Sequence, residues 1–549
     1  MSPGTGSASV SGVDAGGRGN SMRIADLRAV RDTDLTADVC VIGSGPAGLT
    51  IATELAGSAL RVLVLESGGL ELTPESDELD DVENVGAARA QPYRNARNRI
   101  LGGSSHTWSG RCAPLDELDF ATRSWVPFSG WPIGFAEVEP YWERAAEYLG
   151  LGYGAGFTGD RFWELADRTP PRPELDRRWL RPYFWQISKD PADPFDSKRF
   201  GAHAADISAD NVRILLHATV SHIDTDPEGV RVEALRILDA DGNERVVRAR
   251  RIVLAAGGIE NARLLLASNR IVRAGVGNRH DTVGRFLLDH RCGVVGALDP
   301  HTSAGLRDRF GKYVVKTRGG KHTFLHGLAL SPEIQADEGL LNCALWIQEV
   351  PSEDDPWESV KNLLRGHVTM HDARTVASHP GLLLSGAKRR LIDHTGLPRK
   401  LEHVELRCMV EQTPDPASRI TLSDRLDHLG MHRARIDWKV SDQEDRTVRR
   451  AAAMVAGEFA RLGHTPPALD AWVRETSTAP AQLTDWAHPT GATRMSADAR
   501  TGVVDADCRV HGMTNLYLAG SSVFPTNGHA NPTLTIVALA IRLADALRR

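Results

Sequence analysis

The stretch ADVCVIGSGPAGLTIATELAGSALRVLVLESG, residues 37–68, constrains the fold more than any other part of the chain. Val39–Ile42 is a short apolar run of the kind that forms a buried strand of a parallel sheet. Gly43, Gly45 and Gly48 follow in the order G-x-G-x-x-G. The first permits a tight turn, the second lets a pyrophosphate approach the backbone, and the third lets the next helix pack onto the strand. The start of that helix turns unpaired N–H groups and a positive dipole end toward the phosphates. A second apolar strand ends at Glu66, where a carboxylate accepts a hydrogen bond from a ribose hydroxyl. A glycine triplet alone is a weak signal, but here strand, helix and acid are in register. The stretch is read as dinucleotide-binding, with the acid disfavouring a 2′-phosphate; the competing reading is a glycine turn in an unrelated α/β fold.

At 549 residues the chain can bury a large core or two interleaved domains. Its net charge of −6 and lack of a basic stripe argue against nucleic acid. No apolar run reaches membrane-spanning length, and TIVALAIRLADAL is interrupted by Arg542 and Asp545. Cys40, Cys112, Cys292, Cys343, Cys408 and Cys508 are scattered, without CxxC or metal-ligand spacing. A reduced, cytoplasmic chain with no metal site is therefore expected. The abundance of Ala and of Arg over Lys points to a GC-rich bacterial source. Residues 1–21 are Gly- and Ser-rich with almost no large apolar side chains, so residues 1–36 are expected to be a disordered tail and order to begin near Ala37.

Further along, NVRILLHATVSHI (211–223) reads as strand, and VRVEALRILDADGNERVVRARRIVLAAGG (230–258) alternates around an Asp241-Gly242 turn as a hairpin does. Its ending, RIVLAAGG, is a buried strand running into two glycines. That ending is similar to one found after the nucleotide domain of glutathione-reductase-like flavoproteins, and it favours FAD over NAD.

With these come RILGGSSHTWSGRCAPL (99–115), WPIGFAEVEPYWERA (131–145), IVLAAGGIENARLLL (252–266), VGRFLLDH (283–290) and VEQTPDPASRITLS (410–423). WAHPTGATRM (486–495) and GHANPTLTIVALA (528–540) close the set. In this order the motifs resemble the glucose-methanol-choline (GMC) oxidoreductase family, over nearly the whole chain from residue 37. The resemblance is nearest to its bacterial pyranose oxidase and glycoside 3-oxidase-like branch. It implies an α/β fold with a Rossmann-like, glutathione-reductase-like FAD domain and a sheet-based substrate domain. The FAD domain is expected at 37–130, 205–300 and 485–549, and the substrate domain at 131–204 and 301–484.

The resemblance also assigns roles. His488 falls at the position of the catalytic base, and an imidazole with an ordinary pKa near ~6.5 suits that task. Asn531 matches the partner that binds the same substrate oxygen while hydride passes to flavin N5. Asn531 is also read as the N-cap of the last helix, with Pro532 at its first position. His529 is a rival or a neighbour of the site, and His511 is structural. Cofactor contacts are expected from Gly43, Gly45, Gly48, Glu66, Gly103, Ser104, His106, Thr107, Val220, Gly520 and Thr533. Some relatives attach FAD to a His directly before a Trp. Here Thr107 precedes Trp108 and His106 lies one residue earlier, so non-covalent FAD is expected.

In the remainder, KTRGGKHTFLHGLALS, LNCALWIQEV and LEHVELRCMVEQ are read as strands roofing the flavin. Gln348 and Gln412 stand at the ends of two of them as candidate ligands for sugar hydroxyls. Residues 353–400 are read as a lid or an oligomer contact; the oligomeric state stays open. The expected reaction is oxidation of a secondary alcohol of a sugar or glycoside to a keto-sugar, with O2 or another electron acceptor. The alternatives are a non-sugar alcohol, a flavin-binding protein without turnover, and an NAD-dependent dehydrogenase.

Overall fold

The computed structural model describes residues 23–549 apart from 33, 90–95, 194–195, 318–319, 365, 367–368, 390–391, 393–396 and 475–476. Eight strands form the first sheet. Its spatial order is Ile24–Asp26, Val212–Leu216, Val62–Leu65, Asp34–Ile42, Glu244–Leu254, Val232–Leu238 and Thr219–Thr225, with Leu516–Leu518 also paired to Glu244–Leu254. The strands at its centre run parallel, Val39 opposite Val62 and Val41 opposite Val253. Their apolar runs are buried on both faces, as a sheet covered by helices requires. The fingerprint helix, Pro46–Leu55, leaves the end of Asp34–Ile42 and packs against the terminal helix Thr533–Leu547.

The start of the ordered chain needs correcting. Ile24–Asp26 is the edge strand of the first sheet, parallel to Val212–Leu216, and Leu27 is completely buried. Ala25, Leu27 and Val30 supply the apolar burial that residues 1–21 lack, so residues 23–32 and 34–36 belong to the fold rather than to a tail. The rest of the expected tail lies outside the described residues.

Nine strands form the second sheet, in the order Ala468–Leu469, Arg291–Leu298, Leu401–Val410, Cys343–Pro351, Gly320–Leu330, Leu180–Ile187 and Arg111–Cys112, with Lys312–Thr317 and Thr484–Asp485 paired at the side. The three strands expected to roof the flavin are adjacent in it. It also takes in Arg111–Cys112 and Arg291–Leu298, which the expected partition gave to the first region. Residues 353–400 carry the helices Pro356–Leu364, Met370–Ser378 and Pro380–Lys388. All six cysteines are buried thiols. No described helix is long and apolar enough to cross a membrane, and no metal-holding cluster occurs among the described residues.

Candidate active site

A cavity of about 460 Å³ is lined from both sheets. The first contributes Gly43, Gly45 and Glu66 of the fingerprint and Gly257–Gly258 after the long hairpin. Gly103, Ser104 and Thr107 enter from the GGSS loop, and Arg111 from the second sheet. His488, Gly520, Asn531 and Thr533 come from the closing segments. The structure therefore brings His488 and Asn531 to the same cavity as the fingerprint, although the fingerprint lies more than 400 residues away in the chain.

The fingerprint explains its own shape. A Cβ on Gly48 would stand 1.9 Å from the Gly43 carbonyl oxygen, so only glycine lets the helix sit this close to the turn. A Cβ on Gly45 would meet nothing within 4 Å, which leaves free space where a phosphate approaches. The Glu66 carboxylate accepts hydrogen bonds from the Ser44 N–H at 2.9 Å and the Gly68 N–H at 2.8 Å, fixing it at the strand end. Val220 lines a smaller cavity of about 50 Å³. That space shares Gly43, Arg99, Ala256 and Glu260 with the main one. A turn free of side chains, a helix start, a fixed acid and an apolar annex fit a flavin dinucleotide.

Around His488 the geometry is specific. His290 Nε2 lies 3.1 Å from the Asn527 carbonyl and 3.0 Å from that of Gly528. Carbonyls only accept, so this nitrogen carries the proton and Nδ1 of neutral His290 is bare. Nδ1 of His488 lies 2.8 Å from it and must be the donor. The Nε2 of His488 is then left with its lone pair, the form a base requires. Burial, then His290, then Arg89 hold His488 well below the usual imidazole range. Burial pushes His290 down to about 4 against the pull of the two carbonyls. Both rings are therefore neutral at neutral pH.

The loop before the base is strained and held. Ala487 has φ +58°, a conformation a side chain resists. The Asp289 carboxylate accepts the N–H of His488 at 2.9 Å and that of Trp486 at 3.3 Å. Arg89 bridges Asp289 and Asp485. Burial, resisted by Arg89, leaves the Asp289 carboxyl raised to about 6.

The reading of Asn531 as an N-cap is corrected. The terminal helix begins at Thr533 with Pro532 as its boundary residue and has no side-chain cap. Asn531 is buried and its Oδ1 has no hydrogen-bond partner. Asn531 thus stands one residue before the helix boundary, and its side chain lines the cavity instead of capping the helix.

Other candidates stand elsewhere. His106 donates Nε2–H to the Leu101 carbonyl at 2.8 Å and does not line the cavity. His529 packs on Tyr183 with ring centroids 4.3 Å apart, outside the lining, and neither ring nitrogen has a hydrogen bond. The Gln412 amide accepts from the Asp289 N–H at 2.7 Å and Trp438 Nε1 at 2.9 Å and donates to the Lys439 carbonyl. It supports the Asp289–His290 segment instead of facing the cavity. Gln348 accepts from Arg111 at 3.1 Å and donates to the Glu349 carbonyl at 2.9 Å. His290, Asp289 and Arg111 were not foreseen as site residues. All three sit inside motifs legible in the sequence, but His290 meets its partner across 198 residues.

Two regions, residues 198–292 and 414–540, match the GMC oxidoreductase family. The large subunit of fructose dehydrogenase from Gluconobacter japonicus is 25% identical, covering 93% of this chain and 98% of its own length. The C-glycoside 3-oxidase of Microbacterium trichothecenolyticum is 28% identical over 92% of this chain and 95% of its own. Among solved structures, pyridoxine 4-oxidase from Mesorbium loti shares the fold with a TM-score of 0.54 at 18% identity, over 93% of this chain and 98% of that one. The chain thus carries regions that match both the N- and C-terminal models of the GMC oxidoreductases, FAD-dependent enzymes that act on alcohol groups.

Proposed function

We propose that this enzyme oxidises a secondary hydroxyl of a sugar or glycoside to a ketone. The observation that carries the reading is the His290–His488 pair, which leaves an unprotonated nitrogen on a cavity-lining imidazole. His488 Nε2 takes the hydroxyl proton, and the proton already on Nδ1 stays shared with His290. The Asn531 amide holds the same oxygen and fixes which carbinol hydrogen faces the cofactor. FAD, when bound, supplies the two-electron acceptor for that hydrogen. The sugar class is supported by relatives named for fructose and C-glycoside oxidation, at 25% and 28% identity.

FAD is proposed to be non-covalent, since the His106 Nε2 is engaged by a carbonyl within its own loop. The first sheet is proposed as the cofactor region and the second as the substrate side. Electrons then pass to O2 or another acceptor. The test is anaerobic titration of the yellow holoenzyme with glucose, 1,5-anhydroglucitol and a panel of O- and C-glycosides. Bleaching by one sugar class supports the reading, and product analysis names the carbon. Bleaching only by non-sugar alcohols overturns the substrate class. His488→Ala is expected to retain FAD and slow reduction by about 10²–10⁴-fold, the usual range for loss of a general base.

A further inference from the structure

Three arginines line the main cavity, and their electrostatic situations differ. Arg97 and Arg99 are paired with Glu260 at 2.7 and 2.8 Å and also reach Asp80. Arg111 has no carboxylate partner among the described residues. Its one side-chain hydrogen bond goes to the neutral Gln348 amide, and its guanidinium lies 4.8 Å over the Trp346 ring. A second cation stands nearby: Arg407, on the strand register opposite Trp346, lies 5.4 Å over the ring of cavity-lining Trp486. Its nearest carboxylate oxygen, on Glu405, is 3.7 Å away. Burial and the Arg407 charge together hold Arg111 down to about 10. A desolvated cation repelled by a neighbour and given no counter-ion is costly unless something bound there neutralises it.

Position separates this group from the cofactor's phosphates. Those have a helix start and the glycine turn on the first sheet, whereas Arg111 is anchored in the second sheet by its pairing with Ile187 and by Gln348. Hydrogen bonding to Gln348 uses one of the two Nη2 hydrogens and leaves the other Nη2 hydrogen, paired with that of Nε or of Nη1, as a planar fork of the geometry that matches a carboxylate. We propose that Arg111 binds a carboxylate on the substrate, so that the preferred substrates are acidic sugars or glycosides. This rests on the sugar reading above. The carboxylate has two possible sources, the sugar ring of a uronide or the group attached to it. Trp346 and Trp486 beneath the two guanidiniums provide flat apolar faces for either.

The experiment compares matched pairs on the FAD-loaded enzyme: methyl glucoside with methyl glucuronide, and phenyl glucoside with 4-carboxyphenyl glucoside. At least a tenfold higher kcat/KM for the acid of one pair is expected, and the pair that shows it identifies the source. In Arg111→Gln the acid should lose at least tenfold more than its neutral partner, chiefly through KM. Binding of benzoate and of benzamide, followed by perturbation of the flavin spectrum without turnover, tests the cation separately from the sugar. Benzoate should bind at least tenfold more tightly than benzamide to the unaltered enzyme, and Arg111→Gln should abolish the difference. Equal binding of the two probes overturns the proposal, even if Arg111→Gln fails to fold. Selective benzoate binding with no glycoside oxidised would overturn the sugar reading and leave the anion site standing. Arg111→Gln with a lowered flavin content, whose remaining holoenzyme keeps benzoate selectivity, would assign the side chain to the cofactor and overturn the proposal.

Discussion

Nδ1 of His290 faces Nδ1 of His488 across 2.8 Å, and only one of the two nitrogens can carry the proton between them. The Asn527 and Gly528 carbonyls decide which, by demanding the proton of His290 at Nε2. His290 is thus a positioning residue that selects the tautomer of the base. His290→Phe removes the acceptor and frees His488 to protonate at Nε2, and flavin reduction is expected to fall by about 10²-fold or more. His290→Gln restores an acceptor oxygen and should recover part of the rate. Anaerobic stopped-flow measurement of both variants checks this; equal rates in the two would reduce His290 to a packing role.

The pH dependence of the same step follows from the directions of the shifts. A general base works when neutral, so the rate is lost as pH falls through its pKa. An exposed imidazole would lose half the rate near ~6.5. His488 is held well below that by burial, His290 and Arg89, so reduction should stay flat from pH 8 to below 6.5 and decline only in stronger acid. Asp289, raised to about 6, is the neighbour that titrates within this window. A limb near pH 6 that survives in Asp289→Asn would contradict the assignment of His488.

Much of this arrangement was legible in the sequence because it is local. The strand, glycine turn, helix and acid of residues 37–66 occupy one continuous stretch, and each position has a backbone reason to be what it is. The hairpin around Asp241-Gly242 was legible for the same reason, with Gly242 at φ +82°. What the sequence hid depends on distant partners. Gln412 reads as a strand-end amide with free hydrogen-bonding capacity, yet Trp438, Lys439 and Asp289 use it up. Asn531 before a proline has the composition of a cap, but the helix starts later and the amide is left unbonded. Ile24–Asp26 carries no local signal of order because it gains its stability from Val212–Leu216, far along the chain.

The two glycines inside the fingerprint should fail differently. Gly48→Ala forces a methyl to within 1.9 Å of a backbone oxygen that has no room to yield. It is expected to destabilise the fold by about 1–3 kcal/mol even without cofactor, as overpacking does, read as a lower thermal midpoint. Gly45→Ala meets nothing within 4 Å and its φ of −69° suits alanine, so the cofactor-free chain should keep its midpoint. Its penalty should be confined to FAD binding, seen as a lower ratio of flavin to protein absorbance. A normal flavin content in Gly45→Ala would contradict a pyrophosphate lying against that turn.

Arg123 and Glu411 form a two-pronged ion pair, 2.7 and 2.6 Å, with Arg123 2% exposed and Glu411 completely buried. Glu411 also accepts the Asn342 N–H at 3.1 Å and immediately precedes Gln412, the side chain that holds the Asp289–His290 segment. Removing one partner strands a buried charge. Arg123→Met alone should therefore cost about 3–5 kcal/mol. Replacing both with apolar side chains of similar size should cost much less, because no uncompensated charge remains. Thermal unfolding of the two single variants and the double measures the difference. The rate of flavin reduction in the double then asks a separate question. If the pair only stabilises the fold, the double variant reduces its flavin normally. If it also fixes the register of Gln412 under Asp289, the double unfolds near the native temperature yet reduces slowly, because His290 no longer meets His488 at hydrogen-bond distance.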